Sequence, residues 1–323
     1  MQLVRCIVGC LIAVLGAGAA FSQPQKFPTR PIRLIIPFAP GGPTDVIARV
    51  VTPRMSEALG EQVIIDNRAG AGGNIGMALA AQSPADGHTL ILVSSSFVVN
   101  PGLYAKIPYD PETSFSPISN WAAMPNVYVV HPSVPAKSMG ELVKLIQSTG
   151  KKYSFATPGI GTTPDLAATL LRQSLQLEAA TIPYNGAGPA IAAAVANQVA
   201  LGCMALPGVA PHILGGRVRA LAVTSPKRAQ ILPEVPTMSE SGFTGQESDT
   251  IQALLAPAGT HPAIVQRLYD ESAQALGRSE IRERIIPLGY DILASQPREL
   301  SAQIRAEVAK WRKVVKEAGI KVE

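Results

Sequence analysis

The sequence predicts an α/β protein built as two doubly wound lobes with a central cleft. Three observations carry this prediction. Short, branched apolar runs alternate with segments of helical periodicity along most of the chain. One arrangement of strand, Pro-Gly turn and acidic helix start occurs in both halves. The length, 323 residues, exceeds what a single small core serves.

The elements follow in order. Ile32-Arg33-Leu34-Ile35-Ile36 is short and branched and reads as the first strand. Residues 44–59 place Val46, Ile47, Val50, Val51, Met55 and Leu59 on one face of a helix, with a kink expected at Pro53. Strands at 63–65 and 89–93 flank a helix at 74–81. In the second half, strands are expected at 127–130, 153–156, 180–184, 199–204 and 219–224. Helices fall between them at 138–146, 165–175 and 189–196. Ser138-Met139-Gly140-Glu141 fits a capping box. The apolar run at 251–256 is a return crossing, and the tail is helical at 264–276, 280–285 and 298–318. Strands alternating with helices imply parallel sheets. The second unit is inserted in the first. Residues 23–124 and 251–323 form one lobe and 125–250 the other, with crossings near Pro125 and Thr250.

Composition narrows the function. Residues 1–22 read as a cleavable leader: one positive charge, an apolar stretch at 6–20, then small residues at Ala20 and Ser22. The protein is expected to be exported and cut near Ala20 to Ser22. The mature chain then keeps Cys203 alone, so no internal disulfide stabilises it. His88, His131, His212 and His261 lack ligand spacing, so neither a metal nor another cofactor is expected. The formal charge of +5 is interspersed, with no basic and aromatic patch for nucleic acid. No Gly-x-Ser-x-Gly elbow, zinc helix or paired-Cys motif is present, which argues against an enzyme.

The repeated arrangement places the site. Pro37-Phe38-Ala39-Pro40-Gly41-Gly42-Pro43-Thr44-Asp45 follows the first strand, and Pro158-Gly159-Ile160-Gly161-Thr162-Thr163-Pro164-Asp165 follows its counterpart. Glycines let backbone approach a ligand, and helix starts offer N–H groups with partial positive charge. Two such ends across a cleft would hold an anion without an arginine. Candidate binding residues are Phe38, Ala39, Gly41, Gly42 and Thr44 from the first turn, and Gly161, Thr162, Thr163 and Asp165 from the second. The loop at 68–76 lacks both dinucleotide spacing and a Walker lysine and adds Gly72, Gly73 and Asn74 as backbone donors. Ser94 and Ser95 supply hydroxyls at the same sheet edge, and Tyr184 and Asn185 lie on a further second-lobe loop. Thr163 fits an N-cap, Pro164 the first helical position and Asp165 the first turn. Asp165 has two readings. It either complements the helix dipole or faces the cleft, repelling a second ligand carboxylate and accepting a hydrogen bond from a polar group.

Ordered blocks along the chain carry a resemblance. They include Pro31-Ile32-Arg33-Leu34-Ile35-Ile36-Pro37-Phe38-Ala39-Pro40-Gly41-Gly42, Asn67-Arg68-Ala69-Gly70-Ala71-Gly72-Gly73-Asn74, Ala85-Asp86-Gly87-His88, His131-Pro132-Ser133-Val134-Pro135, Ala256-Pro257-Ala258-Gly259 and Trp311. The chain resembles the Bug, or tripartite tricarboxylate receptor, solute-binding proteins. That resemblance implies a type 2 periplasmic-binding fold closing on one small organic acid. It implies delivery to the membrane permease subunits of a tripartite tricarboxylate-type transporter by a monomeric receptor. It implies a ligand carboxylate held, partly through water, by the loops at 38–44 and 72–74. An exported sensor docking on a membrane kinase is the alternative partner reading. The chain departs from the family's usual pattern at Asp165, Asn185, Met204 and Ile251, all candidates for the second-lobe wall.

Overall fold

Apolar residues on both faces of the first strand demand cover on both sides. The computed structural model describes residues 27–148, 153–184 and 186–320, and in it that cover is present. Strand β1 (Ile32–Ile36) turns Ile32, Leu34 and Ile36 toward helix α1 (Pro43–Leu59), while Ile35 packs on the opposite face. The chain continues through β2 (Val63–Asn67), α2 (Asn74–Ala81), β3 (Thr89–Val93), α3 (Ser96–Leu103) and β4 (Phe115–Met124). Pro125 alone separates β4 from β5 (Asn126–Val130), which enters a second sheet. There follow α4 (Met139–Ser148), β6 (Tyr153–Thr157), α5 (Thr163–Ser174), β7 (Ala179–Pro183) and α6 (Ala187–Val195). After β8 (Leu201–Ala205), α7 (Leu206–Leu214) and β9 (Arg219–Val223), the chain returns through β10 (Thr250–Pro257). It ends in α8 (Pro262–Gly277), α9 (Ser279–Ile285), β11 (Asp291–Ile292) and α10 (Pro297–Ala318).

The first sheet runs β11-β4-β10-β3-β1-β2 and the second β7-β6-β8-β5-β9. Each has a buried cluster on either face, which makes each lobe doubly wound. In β5, Tyr128 and Val130 serve one cluster and Val127 and Val129 the other. The lobes also touch. Leu166 of α5 is fully buried in the first lobe's cluster with Leu103 and Trp311.

The sheets are mixed, not parallel throughout as expected. β10 runs antiparallel to β3 and β4, and β5 antiparallel to β8 and β9. The reason is connectivity. The parallel strands run toward the cleft, and a strand arriving from the other lobe starts at the cleft and runs away from it. Side chains lace the two crossings together. The Asn126 N–H donates to Thr224 Oγ1 at 2.9 Å, and the Thr224 hydroxyl donates to Asp249 Oδ1 at 3.1 Å. The Asn126 amide also donates to the Ser248 carbonyl.

Four further elements were not expected from the sequence: β4, α3, α7 and β11. Pro117 and two shifts in register interrupt the period of β4. Pro101 with Gly102 lies inside α3, and Pro207, Gly208 and Pro211 lie inside α7. The Ser138 cap is observed: its hydroxyl accepts from the Glu141 N–H at 3.2 Å. The Glu141 carboxylate accepts from Lys137, not from Ser138 as a strict box requires. The leader at 1–22 lies outside the described residues.

Candidate functional site

β1 pairs with both β2 and β3, and β6 with both β7 and β8. Each is therefore the strand at which the winding reverses, and the loops that follow lie where open α/β sheets bind ligands. Both loops are closed by an aspartate four residues beyond a glycine. The Gly41 N–H donates to Asp45 Oδ2 at 2.9 Å, and the Gly161 N–H to Asp165 Oδ2 at 3.1 Å. Each aspartate is the third helical residue. The N-caps are Gly42 and Thr162, and neither caps with its side chain. This corrects the expected cap at Thr163. Thr163 is the first helical residue and Thr44 is buried in the first turn, because the aspartate reaching back supplies the acceptor a Ser or Thr cap would give. The Gly41 and Gly161 N–H groups are thus spent internally and are not free donors.

The two aspartates differ in compensation. Asp45, 2% exposed, takes four hydrogen bonds: Gly41 N–H and Arg49 Nε on Oδ2, Arg49 Nη2 and Asn67 Nδ2 on Oδ1. Burial alone raises its pKa, but the bonds from Arg49, Gly41 and Asn67 outweigh burial and hold it below the usual range. Asp165, 3% exposed, accepts from the Thr157 hydroxyl at 2.8 Å and from Gly161, and among the described residues no cation pairs with it. Burial dominates there and pushes its carboxyl up, against the bonds from Thr157, Gly161 and Thr181 and the charge of Arg172. Asp165 is buried behind its loop and is not among the residues that line the cleft.

The glycine-rich loop is fixed by amides. Asn100 of α3 donates from Nδ2 to the Gly72 carbonyl at 3.1 Å and to Asn74 Oδ1 at 2.8 Å. Gly72 has φ +64°, and a Cβ there would lie 2.8 Å from the Tyr104 hydroxyl. Gly73 is buried against Met77 and the Phe38 ring, and Asn74 is buried beneath the loop.

Between the lobes lies a cleft of about 710 Å³. From the first lobe it is lined by Phe38, Gly72, Ser94, Ser95, Ser96 and Tyr104, with Asn100, Leu103 and Met124 beside them. From the second come Pro158, Ile160, Gly161, Thr162, Thr163 and Ala205. Every described lining residue is uncharged. Five helices begin at or beside the cleft, and a helix start carries partial positive charge: α1 at Pro43, α3 at Ser96, α5 at Thr163, α6 at Ala187 and α7 just after Ala205. Ser95 ties the cleft floor to the crossing, accepting from the Ile251 N–H at 3.0 Å. The Thr163 and Thr250 hydroxyls bond to each other across the lobes.

Of the expected site residues, the structure brings Phe38, Gly72, Ser94, Ser95, Gly161, Thr162 and Thr163 together on the cleft. Ala39, Gly41, Gly42, Thr44, Gly73, Asn74, Asp165 and Tyr184 do not line it. Thr44, Gly73, Asn74 and Asp165 are packed beneath the loops. Tyr184 continues the sheet, donating to the Thr157 carbonyl at 2.8 Å, with its side chain against the second lobe's core. Asn185 lies outside the described residues. Met204 and Ile251 are buried in the cores, and their neighbours Ala205 and Thr250 reach the cleft, a one-residue offset that reverses facing in a strand.

Residues 47–320 match the family described as "Tripartite tricarboxylate transporter family receptor". The chain belongs to this receptor family. It is 35% identical to Protein BugT of Bordetella pertussis (strain Tohama I) over 324 residues, 100% of this chain and 99% of BugT. Among solved structures it is similar to the periplasmic binding protein BugD, with 35% identity, TM-score 0.75, and coverage of 92% of this chain and 100% of that one. It is also similar to R. palustris Rpa4515 with adipate: 33% identity, TM-score 0.78, the same coverage. The tripartite tricarboxylate receptor fold accounts for the two doubly wound lobes. The lining residues the sequence did not reveal, among them Asn100, Leu103, Tyr104 and Met124, sit on or beside α3 and β4, the elements that Pro and Gly concealed.

Proposed function

We propose that the chain is an exported solute-binding receptor that captures a small organic carboxylate between its lobes and presents the loaded form to a tripartite tricarboxylate-type permease. The observation that carries this is the uncharged interlobe cleft ringed by five helix starts. Helix ends attract an anion while leaving no fixed counter-charge to hold it against release. The carboxylate sits between the Phe38 turn, Gly72 and the serines at 94–96, and the lobes hinge at Pro125 and Thr250 to close over it. The adipate on Rpa4515 supports a carboxylate as the cargo class. No histidine, cysteine or acid is among the described lining residues, which supports binding over catalysis. The receptor acts as a monomer, released outside the cytoplasm once the leader is cut near Ala20 to Ser22.

A thermal-shift screen of the mature chain against a library of organic acids tests this reading. An acid at a hundred times its Kd adds roughly 2.7 kcal/mol of stability. If no acid raises the unfolding midpoint, the proposal is wrong.

A further inference from the structure

The two walls of the cleft are chemically unlike. On the first lobe, the hydroxyls of Ser94, Ser96 and Tyr104 line the cleft without a hydrogen-bond partner among the described residues. The Ser96 oxygen is itself buried and unpaired. A buried hydroxyl left unpaired is costly unless a ligand or water meets it. On the second lobe, the corresponding hydroxyls already have partners. Thr162 donates to the Gly159 carbonyl at 2.8 Å, and Thr163 is bonded to Thr250. Some backbone donors are spent on both walls: on the first, Gly73 gives its N–H to the Gly70 carbonyl and Phe97 to the Ser94 carbonyl. On the second, Gly161 gives its N–H to Asp165, Gly186 to the Pro158 carbonyl at 2.8 Å and Leu206 to the Pro125 carbonyl at 2.9 Å. Pro164 has no N–H to give. What this wall presents instead is Pro158, Ile160, Pro164, Ala187 and Ala205. Ile160 is 59% exposed, an apolar side chain held at the cleft with nothing covering it.

Charge follows the same division. Behind the first wall, Asp45 is matched by Arg49, so the field of α1 is not cancelled by a net charge. Behind the second, Asp165 has no ion-pair partner among the described residues, and the charge of Arg172 acts on it only from a distance.

We propose that the ligand is a monocarboxylate with an apolar body, its charged end on the first lobe and its body against the Ile160 wall of the second. This rests on the carboxylate-receptor reading above and names the class of acid within it. A second carboxylate at the far end of the ligand would meet apolar side chains and no cation among the described lining residues. An alkyl or aryl end would find apolar cover, and closure would bury Ile160 against it.

Isothermal titration calorimetry of the mature chain with two matched pairs tests this: hexanoate against adipate, and benzoate against terephthalate. In the pair that binds, the monoacid should bind at least tenfold tighter than its diacid. Hexanol, which lacks the charge, should not bind. A diacid that binds as tightly as its monoacid, or tighter, overturns the inference and leaves the carboxylate reading standing. So does binding of none of the four while another acid of the library binds. Failure of every acid in the library overturns the reading beneath it. Ile160→Lys supplies the missing counter-charge at an exposed position. It should raise the diacid-to-monoacid affinity ratio at least tenfold. An unaltered ratio removes the ligand body from this wall.

Discussion

Gly161 is where the lobes come closest to a glycine. Its φ is +73°, and a Cβ built on it would collide with Leu103 Cδ1 of the opposite lobe. Gly161→Ala therefore has two separable costs. Holding alanine in the left-handed region costs about 1–2 kcal/mol wherever the neighbours lie. Overlap with Leu103 adds about 1–3 kcal/mol as long as the lobes stay as described. Leu103→Ala removes a buried leucine and costs about 2–5 kcal/mol itself, but it opens the space the new methyl needs. A double-mutant cycle in urea unfolding should thus show favourable coupling of about 1–3 kcal/mol, the overlap contribution alone. If the single variant relieves the overlap by opening the hinge instead, small-angle scattering should show a larger radius of gyration. Costs that add within about 0.5 kcal/mol, with an unchanged scattering curve, would refute the claim that this loop abuts the first lobe.

Three further outcomes follow from the same geometry. Gly72→Ala places a methyl against the Tyr104 hydroxyl on the cleft wall, and affinity for the tightest acid of the screen should fall at least tenfold, about 1.4 kcal/mol; calorimetry giving the wild-type value would remove this loop from the site. Asp45→Asn turns an NH₂ toward donors that now share two carboxylate oxygens, and stability should fall by about 2 kcal/mol in urea, with no loss taking Asp45 out of the turn's support. At the crossing, burial first, with Asp291 and Glu307 adding to it against Thr224 and Lys310, pushes the Asp249 carboxyl up to about 7. A folded-state pKa above the unfolded one contributes stability at low pH that is lost as pH rises through about 7. Asp249→Asn should therefore gain Tm relative to the parent between pH 5 and pH 8, and a pH-independent difference would contradict this.

How much of this was legible in the sequence differs by element. Strands such as β1 and β3 announce themselves because uninterrupted branched runs have few other uses. α3 and α7 were concealed by Pro101, Gly102 and Pro211, residues that read as breakers yet are tolerated in short helices packed at the cleft. The paired turns, both of which reach the cleft, were legible as loops leading into helices, since Gly and Pro before a helix start are local signals. Their chemistry was not, because whether a helix-start N–H is free depends on where an aspartate three residues into the helix points. The repeated spacing of Gly41 with Asp45 and of Gly161 with Asp165 was a visible clue to that closure. Tyr104 and Leu103 had no local clue, since only the packing of α3 across the sheet brings them to the other lobe.

The central claim is that a carboxylate is held between the lobes by the first-lobe loops. A crystal structure of the mature chain with the tightest acid of the screen tests it most directly. The account predicts the carboxylate within hydrogen-bond reach of the Gly72 loop and the hydroxyls of Ser94 or Ser96, with the lobes closed over it. An acid bound outside the cleft, such as in the outer groove beside Ile75 and Leu79, would contradict it.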